Sequence, residues 1–185
     1  MAEEGDNPKT SEAVGRVCME SFLKRPSTKP VAMKVIGDFM NNLVLARRRP
    51  DYEYRFDMGS VFLVGDSASV ILSGDTSFFL FADGKLVKKS EPKTFPSLGY
   101  APSYEGEGTE AFDLPRDFKE KMALLLVTGR KSDAFDVSAL ETALLQAASP
   151  EEWLKGVMTG DLSEESALAA FLAPKKRKFS LFSKG

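Results

Sequence analysis

The feature that most constrains this chain is a set of short apolar runs set apart by turn residues. Val61-Phe62-Leu63-Val64, Ser69-Val70-Ile71-Leu72 and Phe78-Phe79-Leu80-Phe81 are each too short for a helix, and Leu86-Val87 begins a fourth run. Gly65-Asp66 and Asp83-Gly84 lie between runs and suit tight hairpin turns. The pattern predicts an antiparallel meander. Strands that are apolar throughout, with no polar alternation, predict a sheet covered on both faces. The flanking sequence reads as helical.

Asn7-Pro8 reads as a helix start, with Asn7 as N-cap and Pro8 at the first helical position. Val14, Val17, Cys18 and Phe22 fall on one face, and the helix should end near Lys24, before Pro26. Residues 27–30 open a second helix. Val35, Ile36, Phe39, Met40, Leu43 and Val44 follow its apolar period, with Asp38, Asn41 and Asn42 mainly on the other side. Arg47-Arg48-Arg49 suits the C-terminal dipole, and Pro50 marks the stop. Residues 91–116 hold four prolines and three glycines and read as one long irregular connection, of the kind that often carries specificity. Met122–Val127 reads as a buried strand. Ser138 with Glu141, and Ser149 with Glu152, have capping-box spacing and predict helices over 138–148 and 150–159. Ser166–Leu172 is the last expected strand. The expected division is one domain over 1–173 and a basic, disordered tail over 174–185.

Composition narrows the chemistry. The chain of 185 residues suffices for one domain with a sizeable core. There are 25 basic and 27 acidic residues, so net charge gives no pull toward nucleic acid or membrane. There is no histidine, which removes histidine bases, histidine nucleophiles and histidine-ligated zinc. A metal site would need oxygen ligands. The lone cysteine, Cys18, cannot form an intrachain disulfide and reads as a core residue of its helix. Residues 1–8 are polar and acidic, unlike a secretory signal, and no apolar run approaches the roughly 18–20 residues of a membrane span. The expected location is cytoplasmic.

The order of elements resembles most of the fold of the metal-dependent type 2C (PPM) protein phosphatases. The resemblance is carried by Gly59-Ser60-Val61-Phe62-Leu63-Val64, which is similar to the glycine-led strand after the family's second helix, and by Leu72-Ser73-Gly74-Asp75-Thr76, which resembles its Gly-Asp-Ser segment. Phe79–Leu86 is similar to the aromatic strand and Asp-Gly-Lys-Leu turn that follow. Pro96-Ser97-Leu98-Gly99 resembles the family's leucine-glycine signal. Leu124–Phe135 resembles the strand ending in Ser-Asp-Gly, with Asp133 in register with a later aspartate. Glu165-Ser166-Ala167-Leu168 falls where the family has Asp-Asn-Ala-Thr, and Ala2-Glu3-Glu4 resembles the Asp-Gly segment before its first helix. The strands that precede that helix in the family have no counterpart in this sequence. The implied fold class is α+β, with antiparallel sheet layers flanked by helices in a shortened PPM-type sandwich.

The resemblance implies water activated between two divalent cations held mainly by carboxylates. It places Gly129 where the Ser-Asp-Gly aspartate belongs, and glycine has no side-chain oxygen. Glu3 and Glu165 stand where shorter aspartates belong. Asp75 alone remains in place, so Asp75, Glu3 and Glu165 are vestigial metal candidates, and no catalytic residue is assigned. Each has a plain structural reading as well: Asp75 would pin a strand bend through backbone hydrogen bonds, and Glu3 and Glu165 would be solvated surface groups.

The function so implied is a non-catalytic phosphatase-like module that binds another protein, with no cofactor. One alternative is a divergent Mg²⁺- or Mn²⁺-dependent serine/threonine phosphatase in which Asp75, Glu3, Glu165 and Asp133 converge. Another is a self-associating assembly protein whose exposed sheet edges pair between copies. The run Pro174-Lys175-Lys176-Arg177-Lys178 reads as a nuclear import signal in a eukaryotic source, as an anionic lipid or nucleic-acid contact, or as a plain solvated tail.

Overall fold

A computed structural model describes residues 2–3, 16, 19–20, 30–46, 56–64, 67–92, 95–102, 109–114, 121–158 and 167–172. The expected first helix lies almost wholly outside these residues, as do Cys18, the arginine run and the basic tail. The described elements in chain order are β1 (Ala2–Glu3), α1 (Pro30–Ala46), β2 (Asp57–Val64), β3 (Ser67–Ser73), β4 (Thr76–Ala82), β5 (Lys85–Lys89), β6 (Glu110–Leu114), β7 (Met122–Thr128), α2 (Val137–Gln146), α3 (Pro150–Val157) and β8 (Ala167–Leu172). A 3₁₀ turn at Ser132–Ala134 precedes α2.

The apolar runs form strands as expected, but they do not form one meander. They divide into two antiparallel sheets, ordered β1-β2-β3-β6 and β5-β4-β7-β8. β2 and β3 make one hairpin, with Val64 opposite Ser67. β4 and β5 make the other through Asp83 (φ 48°) and Gly84 (φ 75°). Two successive residues at positive φ give the primed turn whose twist matches the flanking strands. Between the hairpins the chain crosses from one sheet to the other through Gly74 and Asp75. Local pattern shows where strands and turns fall, whereas the choice of sheet depends on which faces find apolar partners.

Those faces give the layers. Val70, Leu72, Phe78, Leu80, Leu124 and Leu126 meet between the sheets. Met33, Met40 and Val44 of α1 pack on Met58, Phe62 and Ile71, the outer face of the first sheet. Leu140, Trp153 and Val157 from α2 and α3 cover Phe79, Phe81, Leu125 and Val127, the outer face of the second. Every residue of β7 is buried, which accounts for the unbroken apolar run Met122–Val127. Trp153 stands edge-on to Phe81, with centroids 5.5 Å apart, and donates its indole N–H to the Leu140 carbonyl at 3.2 Å. No described helix is long and apolar enough to cross a membrane.

Three further expectations need correction. Residues 91–116 are not one irregular connection, because Glu110–Leu114 forms β6 and pairs with β3. β6 is half-exposed and carries Glu110 and Asp113, so its composition resembles a loop, and only the partner strand makes it a strand. The buried face of α1 is rotated from the expected one: Val35 and Phe39 are 61% and 54% exposed, while Asn41 is buried. Asn41 is inside because it clamps the loop after β5. Its Oδ1 accepts from the Gly99 N–H at 2.7 Å, and its Nδ2 donates to the Ala101 carbonyl at 2.7 Å. Finally, α2 is capped by Asp136, whose side chain accepts from the amides of Ser138 and Ala139. Glu141 turns instead to β5, where it accepts from Lys85 Nζ at 2.7 Å and the Leu86 N–H at 2.9 Å. The Ser149 cap of α3 is as expected, with Ser149 Oγ accepting from the Glu152 N–H at 3.2 Å.

The Asn41 clamp gives the first prediction. Asn41→Ala leaves a buried N–H and a carbonyl without partners and should cost about 1–3 kcal/mol. Urea unfolding checks the cost, and hydrogen exchange should show selective loss of protection at the Gly99 amide.

Candidate functional site

The site is built around the crossover between the sheets. β3 ends at Ser73 and β4 starts at Thr76, so two residues must carry the chain across. Gly74 sits at φ +70°, and a Cβ there would run into the Asp57 carboxylate. Glycine meets both demands, conformation and space. The Thr76 N–H donates to the Gly74 carbonyl at 3.0 Å, and Thr76 Oγ1 donates to the Ser73 carbonyl at 2.8 Å. The loop after β5 closes over the turn: the Pro96 carbonyl accepts from the Gly74 N–H at 3.2 Å and from Ser73 Oγ at 2.9 Å. Phe56 and Leu98 exchange a backbone pair at 3.0 and 2.8 Å beside it.

Asp57, the first residue of β2, holds these pieces together. One carboxylate oxygen accepts from Ser97 Oγ at 2.6 Å, and the other from the Asp75 N–H at 3.2 Å. Burial pushes the Asp57 carboxyl above its ordinary value of 3.8; the Ser97 and Asp75 N–H bonds oppose that rise, and the nearby Asp75 charge adds to it. Asp75 is fixed through its backbone as well, because its carbonyl accepts from the Arg130 N–H at 3.0 Å. Its side-chain Oδ1 is buried and has no hydrogen-bond partner among the described residues. The expected pinning of a strand bend is therefore real, but the carboxylate that does it is that of Asp57.

The sequence candidates gather only in part. Glu3 lies directly opposite Asp57 in the β1–β2 ladder, which puts its backbone at the site. Glu165 lies outside the described residues. Gly129, at φ +84°, directly follows β7, one residue before the Arg130 amide that binds Asp75. Asp133 is exposed on the 3₁₀ turn. Arg130 holds its guanidinium 5.7 Å from the Phe135 ring. Asp57 was not among the sequence candidates. Its only sequence signal is an acid just ahead of Met58-Gly59, and its importance emerges from register with Glu3 and from the turn folding back over it.

The carboxylates among the described side chains are too few for a pair of divalent cations. Among the described residues no group of three acidic, cysteine or histidine side chains is placed to share a metal. Asp57 and Asp75 are the neighbouring carboxylates, and both Asp57 oxygens are engaged in holding the loop and the turn. Two cations about 3.5–4 Å apart, each needing roughly six oxygens, require more acids than these.

No protein-family profile and no curated protein sequence matches the chain. Solved structures do. The serine/threonine phosphatase of S. agalactiae superposes with a TM-score of 0.69 at 12% identity, over 92% of this chain and 84% of that one. The PPM Ser-Thr phosphatase MsPP from Mycobacterium smegmatis, solved with cacodylate, gives 0.65 at 12% identity, over 91% and 83%. The catalytic domain of the serine/threonine phosphatase PstP, solved with two manganese ions, gives 0.61 at 13% identity, over 93% and 85%. The chain has the α+β fold of the PPM-type phosphatases, as its residue pattern implied. At these identities the likeness is one of fold.

The Asp57 hub makes a pH prediction. A carboxyl held above its unfolded value binds its proton more tightly in the folded chain. That contribution to stability is complete below about pH 3.8 and fades as pH rises through the folded value. Asp57→Asn should flatten this dependence and keep the fold. Asp57→Ala should cost about 1–3 kcal/mol at neutral pH, because the Asp75 N–H and Ser97 hydroxyl lose their acceptor. Denaturant titrations of the three proteins across pH 3–7 check both.

Proposed function

We propose that this chain is a non-catalytic, phosphatase-like module that acts by binding another protein. The observation that carries the reading is Gly129. It directly follows β7 beside the Asp75 turn, at the position where the family resemblance calls for a metal-binding aspartate, and it offers no oxygen. Asp57 supports the same reading, since its half-buried carboxylate is engaged in holding the turn and the loop in the middle of the site. PstP is a phosphatase domain solved with two manganese ions, and among the described residues of this chain no group of three acidic side chains is placed to share a metal. The contact surface on this reading is the loop after β5 and the outer face of α1. Tyr100, Val35 and Phe39 are large apolar side chains exposed there by 56%, 61% and 54%. Exposed aromatic and aliphatic side chains of this kind are favoured anchors for a protein partner.

A second reading, a divergent Mg²⁺- or Mn²⁺-dependent serine/threonine phosphatase, is favoured by Asp75 Oδ1, unpartnered among the described residues, and by Glu3 opposite Asp57. Calorimetric titration with Mn²⁺ and Mg²⁺, run beside a p-nitrophenyl phosphate assay, separates the two. The binding-module reading expects no two-ion isotherm and no metal-dependent turnover. A two-ion isotherm with turnover abolished by Asp75→Asn would replace it with the phosphatase reading.

A further inference from the structure

The two sheets end differently at their edges. β5 closes one edge of the second sheet and carries Lys85, Lys88 and Lys89, the charged kind of edge that resists further pairing. Lys88 lies over the Phe112 ring at 4.3 Å and donates to the Asp113 carbonyl of the first sheet. β8 closes the opposite edge with Ala167-Leu168-Ala169-Ala170-Phe171-Leu172, which has no charge, no proline and no glycine. It pairs with β7 over its whole length, in unbroken register from Met122–Leu172 to Val127–Ala167. Among the described residues nothing pairs with its other edge. Alternate residues of β8 leave their backbone donors and acceptors facing outward, with Leu168 and Phe171 exposed by 43% and 38%.

The two faces of β8 restrict what can add to it. Ala170 and Leu172 point into the layer between the sheets, and the strand's alternation puts Leu168 on that side. Ala167 and Ala169 face α2 and α3, and Phe171 lies 6.2 Å from the Trp153 ring. A strand added here continues two apolar layers at once, so it must be apolar on both faces. The other edge strands fail that test: β1 carries Glu3, β5 three lysines, and β6 Glu110 and Asp113. β8 itself passes it.

We propose that β8 is a dimerisation edge, and that a second copy of this chain pairs with it antiparallel about a two-fold axis. A two-fold normal to the sheet keeps each side chain on its own face, so residues pair only with others of the same parity. With Ala170 on the axis, Leu168 meets Leu172 of the second copy, and Phe171 meets Ala169 of the second copy. Both exposed apolar side chains are then covered, and each large one faces a position with room for it. The second sheet becomes eight strands running β5 to β8 and back, closed at both outer ends by lysines.

The test uses the full chain. Sedimentation velocity over a concentration series should show a monomer–dimer equilibrium that is indifferent to Mn²⁺ and chelator, so its outcome is separate from that of the metal titration. Leu168→Lys places a charge on the edge and should move the protein to monomer with an unchanged far-UV CD spectrum. In a Cys18→Ser background, Ala170→Cys should form a disulfide-linked dimer under mild oxidation, and Lys88→Cys on the far edge should not. A wild-type chain that stays monomeric at its highest soluble concentration would overturn the proposal. So would a dimer that survives Leu168→Lys without cross-linking through Ala170→Cys.

Discussion

The half-buried carboxylate of Asp57 sits where three separate stretches of chain must meet, and the arrangement of the rest follows from how it is satisfied. One oxygen takes the amide of Asp75 and the other takes the hydroxyl of Ser97, so a strand start, a turn between sheets and a distant loop are fixed by one side chain. Gly74 makes this possible, because any side chain there would occupy the space of the carboxylate. A buried acid with good hydrogen bonds is still costly to ionise, and that cost is tolerated because leaving those donors unpaired would cost more.

The same geometry bears on function. A catalytic centre for two cations needs carboxylates that are free to turn their lone pairs toward metal. In this chain the central acid is turned toward protein donors, and the residue directly after β7 is a glycine. Asp75 keeps a buried oxygen that has no hydrogen-bond partner among the described residues.

Much of the secondary structure was legible in the residues. β2, β3, β4, β7 and β8 coincide with apolar runs, and the Asp83-Gly84 turn has the positive φ values its residues favour. What was misread shares one cause. β6 looks like loop because half of it faces water, and it is a strand only because β3 lies beside it. The face of α1 was misphased because Asn41, polar by composition, is buried to bind Gly99 and Ala101. Glu141 left its expected cap for Lys85 and Leu86, residues more than fifty positions away. Asp57 was overlooked because nothing within a few residues of it shows what it touches.

By itself the sequence determined the positions of most strands and turns, the need for cover on both faces of the sheets and the exclusion of histidine chemistry. These follow from periodicity, turn preference and side-chain identity, which are local properties. Only the tertiary structure decided that the two hairpins part into different sheets, that Asp57 rather than Asp75 is the binding carboxylate of the turn, and that an uncharged strand lies at a sheet edge. Each of these depends on partners brought from far along the chain, and hydrogen-bond pairing and burial exist only once those partners have met.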